Sequence, residues 1–166
     1  MRRVGVAVTA VVLAALPACG GHDEGAPVPL VESIDDAIGA VEQHYGAPQR
    51  YFEISATLDE VNVVVAVDDA TAAEQGKYSP GAGLTAPEPV GPATGSTFGA
   101  EAIGFDPGRI FDQIRGELDD PMIVDFAIQG TESGTALYDA TIRSDSGGLL
   151  RVLLGPTGQI LGARAQ

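Results

Sequence analysis

The chain has 166 residues, and its 23 acidic residues outnumber its nine basic ones, which gives a net charge of −14 at pH 7. Such an acidic balance argues against a nucleic-acid partner, because phosphates are neutralised by Lys and Arg. The single cysteine of the chain excludes an internal disulfide, so the hydrophobic core alone must stabilise the fold.

The first 18 residues are predicted to be a signal peptide. Arg2 and Arg3 form a charged start, residues 4–16 carry no charge, and small residues follow up to Cys19. This is the order of the charged, apolar and cleavage regions in a secretory signal. The apolar run is shorter than the roughly 20 residues that a membrane-spanning helix needs. We therefore expect export followed by removal of residues 1–18.

The sequence Leu16-Pro17-Ala18-Cys19 resembles the lipobox of bacterial lipoproteins. The resemblance implies cleavage between Ala18 and Cys19 and a diacylglyceryl thioether on Cys19. Acyl chains such as palmitate then hold the protein on the extracytoplasmic side of the cell membrane. The alternative is ordinary secretion, with cleavage near Ala18 and a free thiol. Eight Arg against one Lys, with abundant Ala, Gly and Val, resembles the composition of proteins from high-GC actinobacteria.

Residues 19–30 are predicted to be a lipidated tether between the membrane and a folded body. The segment is polar and rich in Pro, without an apolar period. Once residues 1–18 are removed, seven basic and 23 acidic residues remain, so the mature chain has a net charge of −16. This charge repels anionic lipid headgroups, and we expect the body to stand away from the bilayer.

The first half of the body, residues 31–92, is predicted to begin with a helix. Ser33 is the expected N-cap, because its hydroxyl is suited to accept a hydrogen bond from the first turn. Gly46 is the expected end of the helix. Between them, apolar residues recur at helical spacing and predict one buried stripe: Ile34, Ala37, Ile38, Val41 and Tyr45.

An antiparallel hairpin is predicted to follow this helix. Residues 51–58 alternate between apolar and polar positions, and residues 61–67 are rich in Val. Residues 68–92 contain much Ala, Gly and Pro, and we expect them to be mostly loop, with short strands at most. The alternation in the first strand places four residues on the predicted core face: Phe52, Ile54, Ala56 and Leu58.

The second half, residues 93–166, repeats the order of helix and strands. Asp106 is the predicted N-cap of a helix with Pro107 at its first position, and the helix is expected to end before Pro121. Its apolar stripe contains Ile110, Phe111, Ile114 and Leu118. Four strands are predicted to follow, over residues 124–129, 135–142, 149–154 and 159–163.

Apolar positions in the two halves recur at offsets of 73–76 residues, as for Ile54 and Ile128. We therefore predict an α+β fold made of two structural repeats, residues 31–92 and 93–166. The two antiparallel sheets should join into one surface with both helices packed on one face. This topology is similar to that of PepSY-type and β-lactamase-inhibitor-like repeats, and no binding residue carries over from those families.

The sequence offers no catalytic residue that we would name. Its two histidines are His22 in the tether and His44 at the end of a predicted helix, so a Ser-His-acid arrangement is not expected. The acidic pairs Asp35-Asp36, Asp68-Asp69 and Asp119-Asp120 lack the loop spacing of a calcium site. We therefore expect no enzyme activity, no metal site and no cofactor.

We expect a cell-envelope protein that binds or inhibits another envelope protein through the uncovered face of its sheet. Tyr51 and Tyr138 fall on strand faces opposite to the predicted core, and they are the candidate partner contacts. The alternative is a carrier of lipid or glycolipid, which would need a deep apolar cavity between the sheet and the helices.

Overall fold

The computed structural model describes residues 27–118, 121–143, 147–155 and 158–166. The predicted signal peptide, its cleavage site at Ala18, the lipidation site Cys19 and most of the tether lie outside these residues, as do Asp119 and Asp120. Within the described ranges, no helix combines the length and the hydropathy that crossing a bilayer requires.

The first helix, α1 (Ile34–Tyr45), follows a single 3-10 turn at Val31–Ser33. It ends as predicted at Gly46, whose φ of 73° lies in the left-handed region that glycine adopts without strain. The predicted capping role of Ser33 is wrong, since its side chain makes no capping hydrogen bond. An N-cap hydroxyl reaches the first turn from extended backbone, whereas Ser33 has a ψ of 1° because the 3-10 turn runs directly into the helix.

The second helix, α2 (Pro107–Glu117), begins as the sequence predicts. The carboxylate of Asp106 accepts a hydrogen bond from the backbone N–H of Arg109 at 3.1 Å, which satisfies one of the free donors of the first turn. The apolar stripe of α2 is buried at Ile110, Phe111 and Ile114.

The described residues form ten strands: β1 Arg50–Thr57, β2 Val61–Val67, β3 Ala72–Ser79, β4 Gly83–Leu84, β5 Glu88–Pro92, β6 Phe98–Gly99, β7 Met122–Gly130, β8 Ala136–Arg143, β9 Leu149–Leu154 and β10 Ile160–Ala165. These strands belong to one antiparallel sheet, in the order β10-β9-β8-β7-β1-β2-β3-β4, with β5 paired to β3 and β6 paired to β1. The mixed α+β class agrees with the prediction.

The two halves of the chain meet where β1 pairs with β7, with Ile54 directly opposite Ile128. Both helices cover the same face of the sheet, because their buried residues join one hydrophobic cluster with one set of alternating strand residues. Alternate residues of each strand therefore face the helices, and the residues between them face away. We call the second surface the open face.

The middle region is more ordered than predicted, and the expectation of a mostly looped segment is wrong. Strand β3 has eight residues and pairs along the whole length of β2, from Val61 opposite Tyr78 to Val67 opposite Ala72. Strand β5 contains Pro89 and Pro92, which are tolerated because β5 lies at the edge of the sheet and pairs only with β3. Proline content alone therefore gave a poor prediction for an edge strand.

Candidate functional site on the open face

Tyr51 does not lie on the open face, so its predicted role as a partner contact is not supported. Its side chain is 0% exposed, and its ring centroid is 5.9 Å from that of Phe98. A register shift between Tyr51 and Glu53 adds one residue to the strand and reverses the alternation. The predicted core residue Phe52 is consequently only half-buried.

Tyr138 is also buried, at 1% exposure, and cannot serve as the predicted partner contact. Its ring centroid lies 6.0 Å from that of Phe126, and its hydroxyl accepts a hydrogen bond from the backbone N–H of Gly104 at 3.0 Å. In β8 the residues that face the helices are Ala136, Tyr138, Ala140 and Ile142. The face of β8 that the sequence predicted to point outward is therefore the face that packs in the core.

The open face instead presents charged and amide side chains on β7 to β10. Asp139 on β8 is 5% exposed, and no other acidic residue in the described part of the chain is buried. Nε of Arg151, on β9, donates to Oδ1 of Asp139 at 2.9 Å, and Nη2 donates to Oδ2 at 2.6 Å. Such a bidentate pair fixes the orientation of both side chains. This pair forms the centre of the candidate site.

A second polar contact lies beside this pair, where β1 meets β7. Gln129 donates from Nε2 to Oε2 of Glu53 at 2.7 Å, and the two residues are directly opposite each other in the sheet.

Burial raises the pKa of Asp125 to about 6, with the nearby carboxylates of Asp139 and Glu53 adding to the shift and Arg151 opposing it. The open face therefore holds a carboxyl group that takes up a proton just below neutral pH.

These side chains border a groove of about 380 Å³, a volume at the low end of ligand pockets. Gln129, Asp139 and Arg151 line it together with Leu153 and, from β10, Arg164. The groove thus offers fixed hydrogen-bonding groups beside an aliphatic side chain and a second guanidinium. Its chemistry suits the recognition of a polar or charged group.

Those metal or catalytic candidates from the sequence that the structure describes do not line this groove. Asp35 and Asp36 lie exposed in the first turn of α1, and Asp68 and Asp69 form the turn between β2 and β3 with positive φ angles. His44 lies at the end of α1 in edge-to-face contact with Tyr45. Across the described ranges, no three His, Cys, Asp or Glu side chains are grouped so as to hold a metal ion.

Two further grooves bear on the alternative of a lipid carrier. One, of about 430 Å³, lies between β3 and β5 and is lined by Gln75, Lys77 and Glu88 among others. The other, of about 180 Å³, lies where the start of α1 meets Phe105. Neither groove is the deep apolar cavity between sheet and helices that a carrier would need.

Comparison of the chain with protein-family models, with curated proteins and with solved structures gives no match.

The sequence prediction missed the residues that the fold brings together here. Asp139 and Arg151 are twelve residues apart on neighbouring strands, and the hairpin register places them within bonding distance. A usable signal was present, since Asp125, Asp139 and Arg151 each lie between apolar residues within a strand. Charged residues within such strands mark a face that is not part of the core.

Proposed function

We propose that this protein is an exported, lipid-anchored protein of the cell envelope that binds or inhibits another envelope protein without catalysing a reaction. The observation that carries the proposal is the groove on the open face, where Asp139 and Arg151 are held in a bidentate pair beside Gln129, Leu153 and Arg164. A sheet face that no described helix covers, and that presents fixed polar groups, is suited to contact a partner.

The membrane anchor rests on the resemblance of residues 16–19 to a lipobox. We propose that Cys19 carries acyl chains and that residues 20–30 connect it to the first helix. Cells that produce the natural chain should incorporate a palmitate analogue into it, whereas cells that produce Cys19→Ser should not. Equal labelling of the two chains would contradict the anchor, and retention of residues 1–18 would contradict the predicted cleavage after Ala18.

We further propose that residues 31–92 and 93–166 are structural repeats. Supporting this, each half runs from a helix into three antiparallel strands, α1-β1-β2-β3 and α2-β7-β8-β9. Ile54 and Ile128, which correspond at the offset of 74 residues, face each other in the sheet, as expected for residues on a local two-fold axis. Each half expressed alone should fold poorly, because β1 or β7 would become an exposed edge. Cooperative unfolding of either half alone would contradict this.

The interaction proposal is tested by placing a photo-crosslinking residue on the open face of the full chain in its own envelope. Leu153 is a suitable position, since its side chain is 37% exposed and borders the groove. Asp112, exposed on α2 on the other side of the sheet, is the matched control.

A specific crosslinked protein is expected from Leu153 and not from Asp112. Crosslinking from both positions to the same set of proteins would contradict a specific face. Recovery of a lipid from the purified protein, with no protein crosslink, would favour the carrier instead.

A further inference from the structure

We propose that the groove binds a carboxylate of an acidic, extended protein segment, held between the guanidinium groups of Arg151 and Arg164 while the segment pairs with the free edge of β10. This inference rests on the proposed interaction function and specifies the chemistry of the partner.

The first argument concerns the hydrogen-bond donors of Arg151. Of the five N–H groups of a guanidinium, two are bound to Asp139. The remaining three make no hydrogen bond to a described residue, although the nearby carboxylates of Glu53 and Asp125 also interact with the guanidinium through their charge. Because Nε and Nη2 bind Asp139, both N–H groups of Nη1 are directed away from it. Arg151 is thus held rigidly with donors available to a second carboxylate.

The second argument is the position of Arg164. It lies directly opposite Arg151 in the pairing of β10 with β9, and both residues line the groove. Like charges opposite each other on one face of a sheet destabilise it. The carboxylate of Asp139 compensates Arg151, whereas Arg164 forms no ion pair with any described residue. An incoming carboxylate would give Arg164 the ion-pair partner that it lacks among the described residues.

The third argument is the edge strand. Within the described chain, β10 pairs with β9 and has no neighbour on its other side. Its residues after Ile160 are exposed, with Leu161 at 54%. The outer N–H and C=O groups of an edge strand bind an added strand through main-chain hydrogen bonds. A segment added here would place alternate side chains over the open face, next to Arg164.

The ligand chemistry follows from these three features. A planar carboxylate matches the fork of donors on a guanidinium, and the edge strand requires a peptide backbone. Leu153 and Gly162 border the same groove and leave room for an aliphatic side chain of the segment. A short blocked peptide in which Glu alternates with Val has each of these properties.

The test is a chemical-shift titration of the full chain in detergent micelles with this peptide and with the same peptide carrying Gln for Glu. The Glu peptide should shift the amide signals of residues 161–165 and bind more weakly as salt is added. Arg164→Gln should weaken its binding about tenfold, as expected for the loss of one charge-assisted contact. Arg115→Gln, which removes the same charge from an exposed position on α2, should leave its affinity unchanged.

Equal binding of the Glu and Gln peptides, or no binding of either, would overturn the proposal. Equal weakening by Arg164→Gln and Arg115→Gln would overturn it too, because the effect would then be one of net charge. Binding of inorganic phosphate that depends on Arg164, without binding of the Glu peptide, would reject a carboxylate segment as the ligand. A protein crosslinked through Leu153 that has no acidic segment would overturn this inference and leave the proposed function standing.

Discussion

The two faces of the sheet are made by the same strands and have opposite properties. On β7, Phe126 and Ile128 face the helices and are fully buried, while Asp125 and Gln129 face away and are half-buried. On β8 the neighbours Tyr138 and Asp139 divide in the same way, one into the core and one into the groove. Strand alternation therefore separates, residue by residue, the side chains that pack in the core from those that remain available to a partner.

The open face itself contains two unlike ion pairs. Nη2 of Arg151 lies 2.6 Å from Oδ2 of Asp139, and Asp139 is buried. Nζ of Lys77 lies 2.8 Å from Oε1 of Glu60, and both of these side chains are substantially exposed. Exposed pairs contribute little to stability because water and salt screen them. A buried carboxylate, in contrast, depends on its partner. The distances are similar, and burial decides which pair matters.

The largest effect is expected from the covered face. Phe126→Ala should lower the free energy of unfolding by about 3–5 kcal/mol, because it leaves a cavity in a close-packed core. The ring of Phe126 lies 5.0 Å from that of Phe105 and 6.1 Å from that of Phe111, measured between centroids. Denaturant unfolding measures the loss, with Phe126→Leu as a milder variant if the first does not fold.

Leu153→Ala on the open face is the matched control and should cost less than about 1 kcal/mol. Equal losses for the two positions would mean that the open face is covered in solution and that the contrast between the faces does not hold.

The next effect is expected from the buried ion pair. Arg151→Met should lower stability by about 2–3 kcal/mol, since it leaves Asp139 without its partner in a place that water reaches poorly. The double variant Arg151→Met with Asp139→Leu should recover most of this loss. Thermal unfolding of the two single variants and the double variant gives the coupling energy. A coupling near zero would show that the pair is solvated like a surface pair.

A smaller effect, dependent on pH, is expected from Asp125. Its pKa is raised by burial from 3.8 to about 6, so the folded state favours the protonated form. Its contribution to stability is therefore complete below about pH 4 and is lost as the pH rises through 6. Asp125→Asn should gain about 1–2 kcal/mol relative to the natural chain between about pH 4 and pH 8, after allowance for solvent screening.

Chemical denaturation at several pH values checks the change in this difference, which removes any constant effect of the substitution. A difference that stays flat across the range, or falls as the pH rises, would contradict the raised pKa.

The smallest effect is expected from the exposed pair. A hydrogen bond that Lys77 donates to Glu60 lowers the pKa of the Glu60 carboxyl, but solvent surrounds the two side chains. Lys77→Gln should therefore leave the unfolding midpoint unchanged within error, both in dilute buffer and at high salt. A clear loss that disappears in salt would show that this pair contributes as the Arg151 pair does.

Local chemistry allowed much of the fold to be predicted. The apolar stripe and Gly46 placed α1, Asp106 and Pro107 placed the start of α2, and the Val-rich run at residues 61–67 placed β2. These signals involve residues close together in the chain, whose spacing determines which side of a helix is apolar. The predicted sites at Tyr51 and Tyr138 failed. The added residue at Phe52 reverses the alternation in β1, and in β8 the face predicted to point outward is the buried one.

The amino-acid sequence by itself determined the two helices, the strands outside residues 68–99 and the acidic charge, because propensity, capping and composition act over a few residues. Its N-terminal 19 residues also predict an exported, lipidated protein. Only the tertiary structure decided that Tyr51 is buried and Phe52 is not, since the added residue between Tyr51 and Glu53 is defined by pairing with β2. Pairing between strands also brought Asp139, Arg151 and Arg164 to one groove, because the contacts of a sheet join residues that are distant in the chain.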